Sequence, residues 1–390
     1  MTFILGNMVL FHFTVICMNP SKENSSDNVM RYVELRKSFA FFGVVSGVFT
    51  AIMPLWFDDL YFVMVVRFFQ GFTIASVFVA VGVIPQVWAR VNEKKLFASV
   101  LTCAFQLGPV FAMVLSSLYC SSVFGWQGVY YTFGLGTILS SAAFFGFYTY
   151  ALRPSRKTCP ITEQADADSV NETSIPYSQI FSSLTIWGLW ISAFADAAAY
   201  QVFFMYGPIY MNKVLHFDIA QTGFLAAFPY LLSIGTKFIA GVVLEKMTCL
   251  SDHCRIKLFT AVPQAAMTIC FLLFTVTSAD SPILVQIIIT SIVLFSGLNS
   301  VGLYSGCQIV AHKYNHVVTS VISAEHGIVS ILIPVLVSFL APHHGNDEWI
   351  TVFLVIVGVL AVCNTSFLLM TTIAPKDWEK SDLNRESCPT

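Results

Sequence analysis

The chain has 390 residues, of which 56% are hydrophobic and 15% aromatic, while only 11% carry a charge. Soluble domains are about 25% charged, so a mean hydropathy of +0.74 excludes an ordinary water-soluble protein and points to a chain folded in lipid. A formal net charge of −2, with no basic tail and no Gly-rich phosphate loop, gives no footing for a nucleic-acid partner.

Apolar runs long enough to cross a bilayer fall at about 2–18, 38–56, 60–84, 96–119, 128–151, 185–206, 219–245, 257–278, 282–306, 318–341 and 349–373. Segments with the ten-residue alternation of a membrane β-barrel are absent, so the expected fold is all-α with about 11 transmembrane helices. The long polar interruption at 152–184 divides the chain. The reading is an N-terminal bundle of about five helices over 1–151, a cytoplasmic linker over 152–184, a C-terminal bundle of six helices over 185–373 and a cytoplasmic tail over 374–390.

Loop charge sets the orientation. With the linker in the cytoplasm, alternation puts Arg90, Lys94, Lys95, Arg153, Arg156, Lys157, Lys246, Arg255, Lys257, Lys313, Lys376, Lys380 and Arg385 on the same side, while the opposite loops from residue 57 onward hold only Lys213. The beginning of the chain breaks the alternation. Residues 19–37 are too polar to cross lipid, so one helix is missing between the first run and the run at 38–56.

The ten cysteines are scattered, five of them (Cys17, Cys103, Cys270, Cys307 and Cys363) inside apolar runs, where a small hydrophobe is the plain reading. Cys249, His253 and Cys254 sit close in sequence but lack a second ligand pair, so no metal and no cofactor is expected. Of three glycosylation sequons, at Asn24, Asn171 and Asn364, only Asn24 could be modified, and only if its loop is outside. Gly43, Ser46 and Gly47 form a small-residue face suited to close helix packing.

One stretch stands out, Val65 to Lys95. It opens on Arg67 and Gln70-Gly71 within an apolar run and closes on Trp88, Arg90, Lys94 and Lys95. An arginine in hydrocarbon costs several kcal/mol, about 2.5 or more, which makes Arg67 a functional candidate. The bland alternative is a structural arginine bonded to carbonyls or to a neighbouring carboxylate.

Taken together, the motifs resemble the major facilitator superfamily, and within it the anion:cation symporter branch of sialin, the vesicular glutamate transporters and the sodium-dependent phosphate transporters. The matching residues are Arg67-Phe-Phe-Gln70-Gly71, Trp88-Ala89 with Glu93-Lys94-Lys95, Gln106-Leu-Gly108 and Phe124-Gly-Trp126 through Gly134. Ile175 to Trp187, Pro208-Ile-Tyr210 through Pro229-Tyr230, and Gly241 to Glu245 with Arg255-Ile-Lys257 continue the match in the second half. The resemblance implies two bundles that rock about a central site. It also exposes departures. The family's second helix has no counterpart between Met18 and Arg36, Ile74 stands where a carboxylate often follows the Gln-Gly pair, Leu10 replaces a first-helix arginine, and Asp196 replaces a seventh-helix arginine.

The cavity-lining helices of the superfamily are the first, fourth, seventh and tenth, so the resemblance nominates His12, Arg67, Gln70, Asp196, Tyr200, Tyr206, Asn299 and Tyr304. Arg67 presents a planar fork of donors suited to a carboxylate or phosphate; Gln70, Tyr200, Tyr206, Asn299 and Tyr304 would add substrate contacts. Asp196 lies about 16 Å from the inner face and Lys237 about 12 Å, so the two form either a static pair or a coupling site. Glu325 and His326 are a second titratable couple, either a relay or a polar packing contact. No HExxH, GxSxG or paired-carboxylate pattern is present, so no enzyme activity is expected. The reading is a secondary active transporter of a small organic or inorganic anion coupled to H+ or Na+. The expected partners are that anion, the cation and the bilayer, with a monomeric state, in the plasma membrane or a lysosomal or vesicular membrane. The rival is a non-transporting or truncated paralogue.

Overall fold

The computed structural model describes residues 25–71, 103–151, 177–247, 250–277, 281–311, 314–343 and 345–373. The helices are α1 (Ser25–Ile52), α2 (Leu60–Gly71), α3 (Ala104–Cys120), α4 (Gly125–Ala151), α5 (Tyr177–Phe181), α6 (Leu184–Lys213), α7 (Ile219–Lys246), α8 (Asp252–Val276), α9 (Pro282–Ala311), α10 (Asn315–Leu340) and α11 (Asn346–Met370). Six of them contain stretches both long and apolar enough to cross a membrane. At 30 residues, α6 and α9 each run about 45 Å. The all-α expectation holds, and the helix limits follow the apolar runs closely from residue 104 onward.

The run at 38–56 extends further than expected. Its helix begins at Ser25, so the polar stretch SSDNVMRYVELRK forms the first turns of α1. Hydropathy reports what lipid accepts, whereas Met, Arg, Glu, Leu and Lys are all good helix formers whatever the solvent.

The chain divides into two compact units. The first, residues 1–80 and 127–177, is built on α1, α2 and α4. The small-residue face of α1 packs on α4: a Cβ on Gly47 would fall 2.8 Å from the Gly134 carbonyl, and one on Gly134 would fall 2.8 Å from Ala51 Cβ. Phe49 of α1 stacks on Phe69 of α2, with ring centroids 4.6 Å apart and planes 3° from parallel.

The second unit takes in residues 81–126 and 178–390. Here α3, which precedes the 152–184 interruption in sequence, packs against α7, where a Cβ on Gly223 would lie 2.8 Å from the Met113 carbonyl. The centre of the unit is α6, which touches α9, α10 and α11. Phe203, Tyr210, Phe271, Phe274, Trp349 and Phe353 form an aromatic core between α6, α8 and α11, closest at 4.5 Å between Phe274 and Phe353. Lipid tails are as apolar as these rings, so such a core holds helices together by close packing rather than by exclusion of water. Each well-placed aromatic pair contributes about 0.5–1.5 kcal/mol.

Prolines lie inside five helices of this unit: Pro109, Pro208, Pro229, Pro263 and Pro334. A proline removes the N–H that would bond the carbonyl four residues earlier, and in lipid that carbonyl needs another partner. One such partner is visible. Gln286 Nε2 donates to the Leu225 carbonyl at 2.9 Å, opposite Pro229. Opposite Pro263, α9 presents Gly302 to the Phe259 carbonyl, close enough that a Cβ there would be 2.8 Å from the oxygen.

Candidate functional site

Around its midpoint α6 reads Ala193-Phe-Ala195-Asp196-Ala197-Ala198-Ala199-Tyr200. Ala195, Ala197 and Ala199 are fully buried. Small side chains let neighbouring helices come close, and the close approach encloses the one carboxylate in the run, since Asp196 is only 6% exposed.

Three elements supply its surroundings. From α9, Ser296 and Asn299 lie against the Asp196 carboxylate, and from α7 Lys237 lies within electrostatic reach of it. Lys237 is 5% exposed and Asn299 is 0% exposed. The lysine stem passes α9 at a glycine: a Cβ on Gly297 would stand 3.5 Å from Lys237 Cγ and 2.5 Å from Ser233 Oγ. Ser233 Oγ in turn donates to the Val293 carbonyl at 3.4 Å. One turn beyond Asp196, the Tyr200 ring meets Tyr230 edge to face at 5.7 Å.

The field of this pair extends to the other candidates of the second unit. Tyr200 and Tyr304 both interact with Asp196, and Tyr304 also with Glu325. His326 of α10 interacts with Lys237, as does Cys103 at the start of α3. The structure therefore brings Asp196, Tyr200, Lys237, Asn299, Tyr304, Glu325 and His326 into one electrostatic cluster. Asp196 Oδ1, both polar atoms of the Asn299 amide, the Tyr230 hydroxyl and Glu325 Oε2 are buried there without a hydrogen-bond partner among the described residues. Buried polar atoms normally find partners, so each such atom calls for an explanation.

Other candidates lie elsewhere. Tyr206 is ten residues along α6 from Asp196, about 15 Å along the axis, and its ring packs on Trp349 in the aromatic core at 5.8 Å. Arg67 and Gln70 belong to the first unit. Arg67 is exposed there, and its Nη1 donates to Gln70 Oε1 at 3.3 Å. Gln70 Nε2 donates to Thr50 Oγ1 at 2.9 Å, whose hydroxyl donates on to the Ser46 carbonyl at 2.8 Å. His12, Ile74 and the basic run from Trp88 to Lys95 fall outside the described residues, as do Asn24 and Cys249. Sequence reasoning did not single out Ser296, Gly297, Ser233 or Tyr230 as site residues. For the first two the signal was present, a small-residue pair next to Asn299; one tyrosine among 14 carried none.

The segment with Arg255-Ile-Lys257 has a structural job. Asp252 pairs with Arg255, and Arg255 Nη1 donates to the Met247 carbonyl at 3.2 Å. Lys257 Nζ donates to the Leu368 carbonyl at 3.0 Å. His253 Nδ1 accepts the Ile373 N–H, also at 3.0 Å. His253 thus holds the end of α11, and no group of three His, Cys, Asp or Glu side chains that could hold a metal ion exists among the described residues.

The chemistry available in the cluster is ion recognition. Lys237, the Asn299 amide and the tyrosine hydroxyls can donate to an anion, and the Asp196 carboxylate with the Asn299 oxygen can accept a cation or proton.

The sequence profile of the Major Facilitator Superfamily matches residues 30–324. The chain is 25% identical over 335 residues to sodium-dependent phosphate transport protein 1 of Mus musculus, covering 82% of this chain and 70% of that one. It is 21% identical over 327 residues to human sialin, covering 82% of this chain and 66% of that one. Among solved structures, a bacterial homologue of the iron transporter ferroportin in its outward-facing state has a TM-score of 0.64 at 10% identity, over 95% of this chain and 89% of that one. The E. coli fucose:proton symporter has a TM-score of 0.58 at 12% identity, over 87% and 84%. At such identities the likeness is one of fold. Together with the long apolar helices, it makes the chain an integral, multi-pass membrane protein.

Proposed function

Because the chain belongs to the Major Facilitator Superfamily, we propose that it is a secondary active transporter of a small anion, coupled to H+ or Na+ and working by alternating access. The observation that carries this reading is the buried cluster around Asp196 and Lys237, with amide, hydroxyl and carboxylate atoms that have no hydrogen-bond partner among the described residues. A purely structural membrane protein gains nothing from enclosing opposite charges, since an apolar pair of the same volume would be as stable or more so. The names of its relatives, phosphate transporters and sialin, support an anionic substrate.

In this reading 1–151 and 185–373 are the two functional bundles, joined by a cytoplasmic linker over 152–184 and followed by a cytoplasmic tail over 374–390. The working unit is a monomer in the plasma membrane or a lysosomal or vesicular membrane. Arg67, Gln70, Tyr200, Asn299 and Tyr304 contact the anion, Tyr206 is left to the aromatic core, and Asp196, Lys237, Glu325 and His326 serve coupling. Arg67 contributes its guanidinium and Gln70 holds it in position, as the hydrogen-bond chain to Thr50 suggests.

Uptake by the purified chain in proteoliposomes tests the proposal. Inorganic phosphate and a panel of mono- and dicarboxylates are offered under an imposed sodium or proton gradient, with Arg67→Ala alongside. The expected result is gradient-driven accumulation of at least one anion that Arg67→Ala abolishes. No uptake of any anion favours the non-transporting rival; equal uptake by the variant removes the role of Arg67.

A further inference from the structure

Lys237 and Asp196 hold opposite charges inside one compact unit, on α7 and α6, each almost wholly shielded from solvent. Neither charge is tolerable alone at that depth, so the resting state keeps them together. Ser296 and Asn299 lie against the Asp196 carboxylate, yet not every valence around the pair is filled among the described residues. Asp196 Oδ1 accepts no hydrogen bond, and the Asn299 amide beside it leaves both its donor and its acceptor unused among the described residues. A pair kept only for stability would have these valences filled. Space has also been kept for the lysine: Gly297 lies where any larger residue would crowd Ser233 and reach the Lys237 stem.

We propose that Lys237 is the anion's contact within this unit, and that Asp196 is a stand-in for the substrate that occupies the lysine between transport cycles. The inference rests on the transporter reading given above and assigns to Lys237 a substrate role in place of a coupling one. An arriving anion takes the lysine's charge, with the Asn299 amide and the Tyr304 hydroxyl as further donors. Asp196 is then left with an uncompensated charge that only a cation can neutralise, a proton on the carboxylate or a sodium ion against Oδ1 and the Asn299 oxygen. Coupling follows from charge balance inside the unit: the anion is held stably only when a cation accompanies it. The other titratable groups around the pair are Tyr200 on α6, Tyr304 on α9, His326 on α10 and Cys103 at α3, with Tyr230 of α7 reaching it through Tyr200 and Glu325 of α10 through Tyr304. They tune the exchange without replacing either partner.

The test compares wild type, Lys237→Gln, Asp196→Asn and the double variant in proteoliposomes, with inorganic phosphate and the carboxylate panel as probes. Sodium or choline outside, at two pH values, separates the two cations. Asp196→Asn is expected to bind and exchange the anion regardless of sodium or pH while losing uphill accumulation. Lys237→Gln is expected to lose about thirtyfold or more in anion affinity, the effect of truncating one member of a buried charge contact. The double variant restores a neutral interior; its thermal stability returns to the wild-type level while its affinity does not. If either single variant fails to fold, the double variant carries the test. A double variant with wild-type anion affinity, or a Lys237→Gln variant with wild-type affinity, overturns the proposal while leaving the transporter reading intact. So does an Asp196→Asn variant that is still driven by the gradient. A wild type that takes up no anion overturns both.

Discussion

The imidazole Nδ1 of His253, at the start of α8, accepts the backbone N–H of Ile373 just beyond the end of α11, at 3.0 Å and 120 positions apart in sequence. His253→Ala is expected to cost about 1 kcal/mol locally, the net value of one such hydrogen bond. Hydrogen exchange at the 371–373 segment should then quicken about fivefold, with uptake little changed. Unaltered exchange there would show that the bond contributes nothing.

Gly302 faces the carbonyl of Phe259, and a Cβ would sit 2.7 Å from the carbonyl carbon and 2.8 Å from its oxygen. Both are backbone atoms, so the added methyl is accommodated only if α8 and α9 separate. Gly302→Ala is expected to destabilise the protein by about 1–3 kcal/mol, the range for overpacking. A fall in the Tm of the detergent-solubilised protein measures it; an unchanged Tm would mean the two helices are free to slide.

Asn299 sets stability against function. Its amide is fully buried and leaves both polar atoms without a hydrogen bond among the described residues, and an unsatisfied buried group costs about 1–3 kcal/mol. Asn299→Leu, of similar volume, should therefore hold or raise the Tm while reducing anion uptake. A lower Tm with unimpaired uptake would make Asn299 a structural residue.

Ser192 and Gln264 bridge α6 and α8 in both directions. Ser192 Oγ donates to Gln264 Oε1 at 3.1 Å, and Gln264 Nε2 donates to the Ser192 carbonyl at 3.3 Å. Both side chains are fully buried. A double-mutant cycle of Ser192→Ala and Gln264→Leu is expected to give a coupling energy of about 0.5–2 kcal/mol, as hydrogen-bonded neighbours do. Additive effects would mean the two do not act as a pair.

The helices of the second unit were legible because apolar length is what both the bilayer and the sequence record. The start of α1 was not, since Arg31, Glu34, Arg36 and Lys37 read as a loop on a hydropathy scale while their backbone is helical. The meeting of Asp196 and Lys237 could be anticipated from their matching depth on consecutive helices. Depth arithmetic gives no azimuth, however. It could not tell that Tyr206 faces the aromatic core, that Ser296 lies against the carboxylate, or that Gly297 opens the path for the lysine. Which way a residue faces depends on neighbours that are remote in sequence, and that information is tertiary.

The bond between Gln286 and the carbonyl freed by Pro229 bears on how the chain is made. The Leu225 carbonyl precedes its donor by 61 residues, and a ribosome delivers α7 first, then α8, and only afterwards the helix that carries Gln286. Until then, α7 holds a bare carbonyl within its apolar length, which water, lipid headgroups or the insertion machinery must satisfy. The second unit is therefore completed out of order: its third-from-last long helix closes a gap left by one already in place, and a chain arrested before Gln286 keeps that gap open.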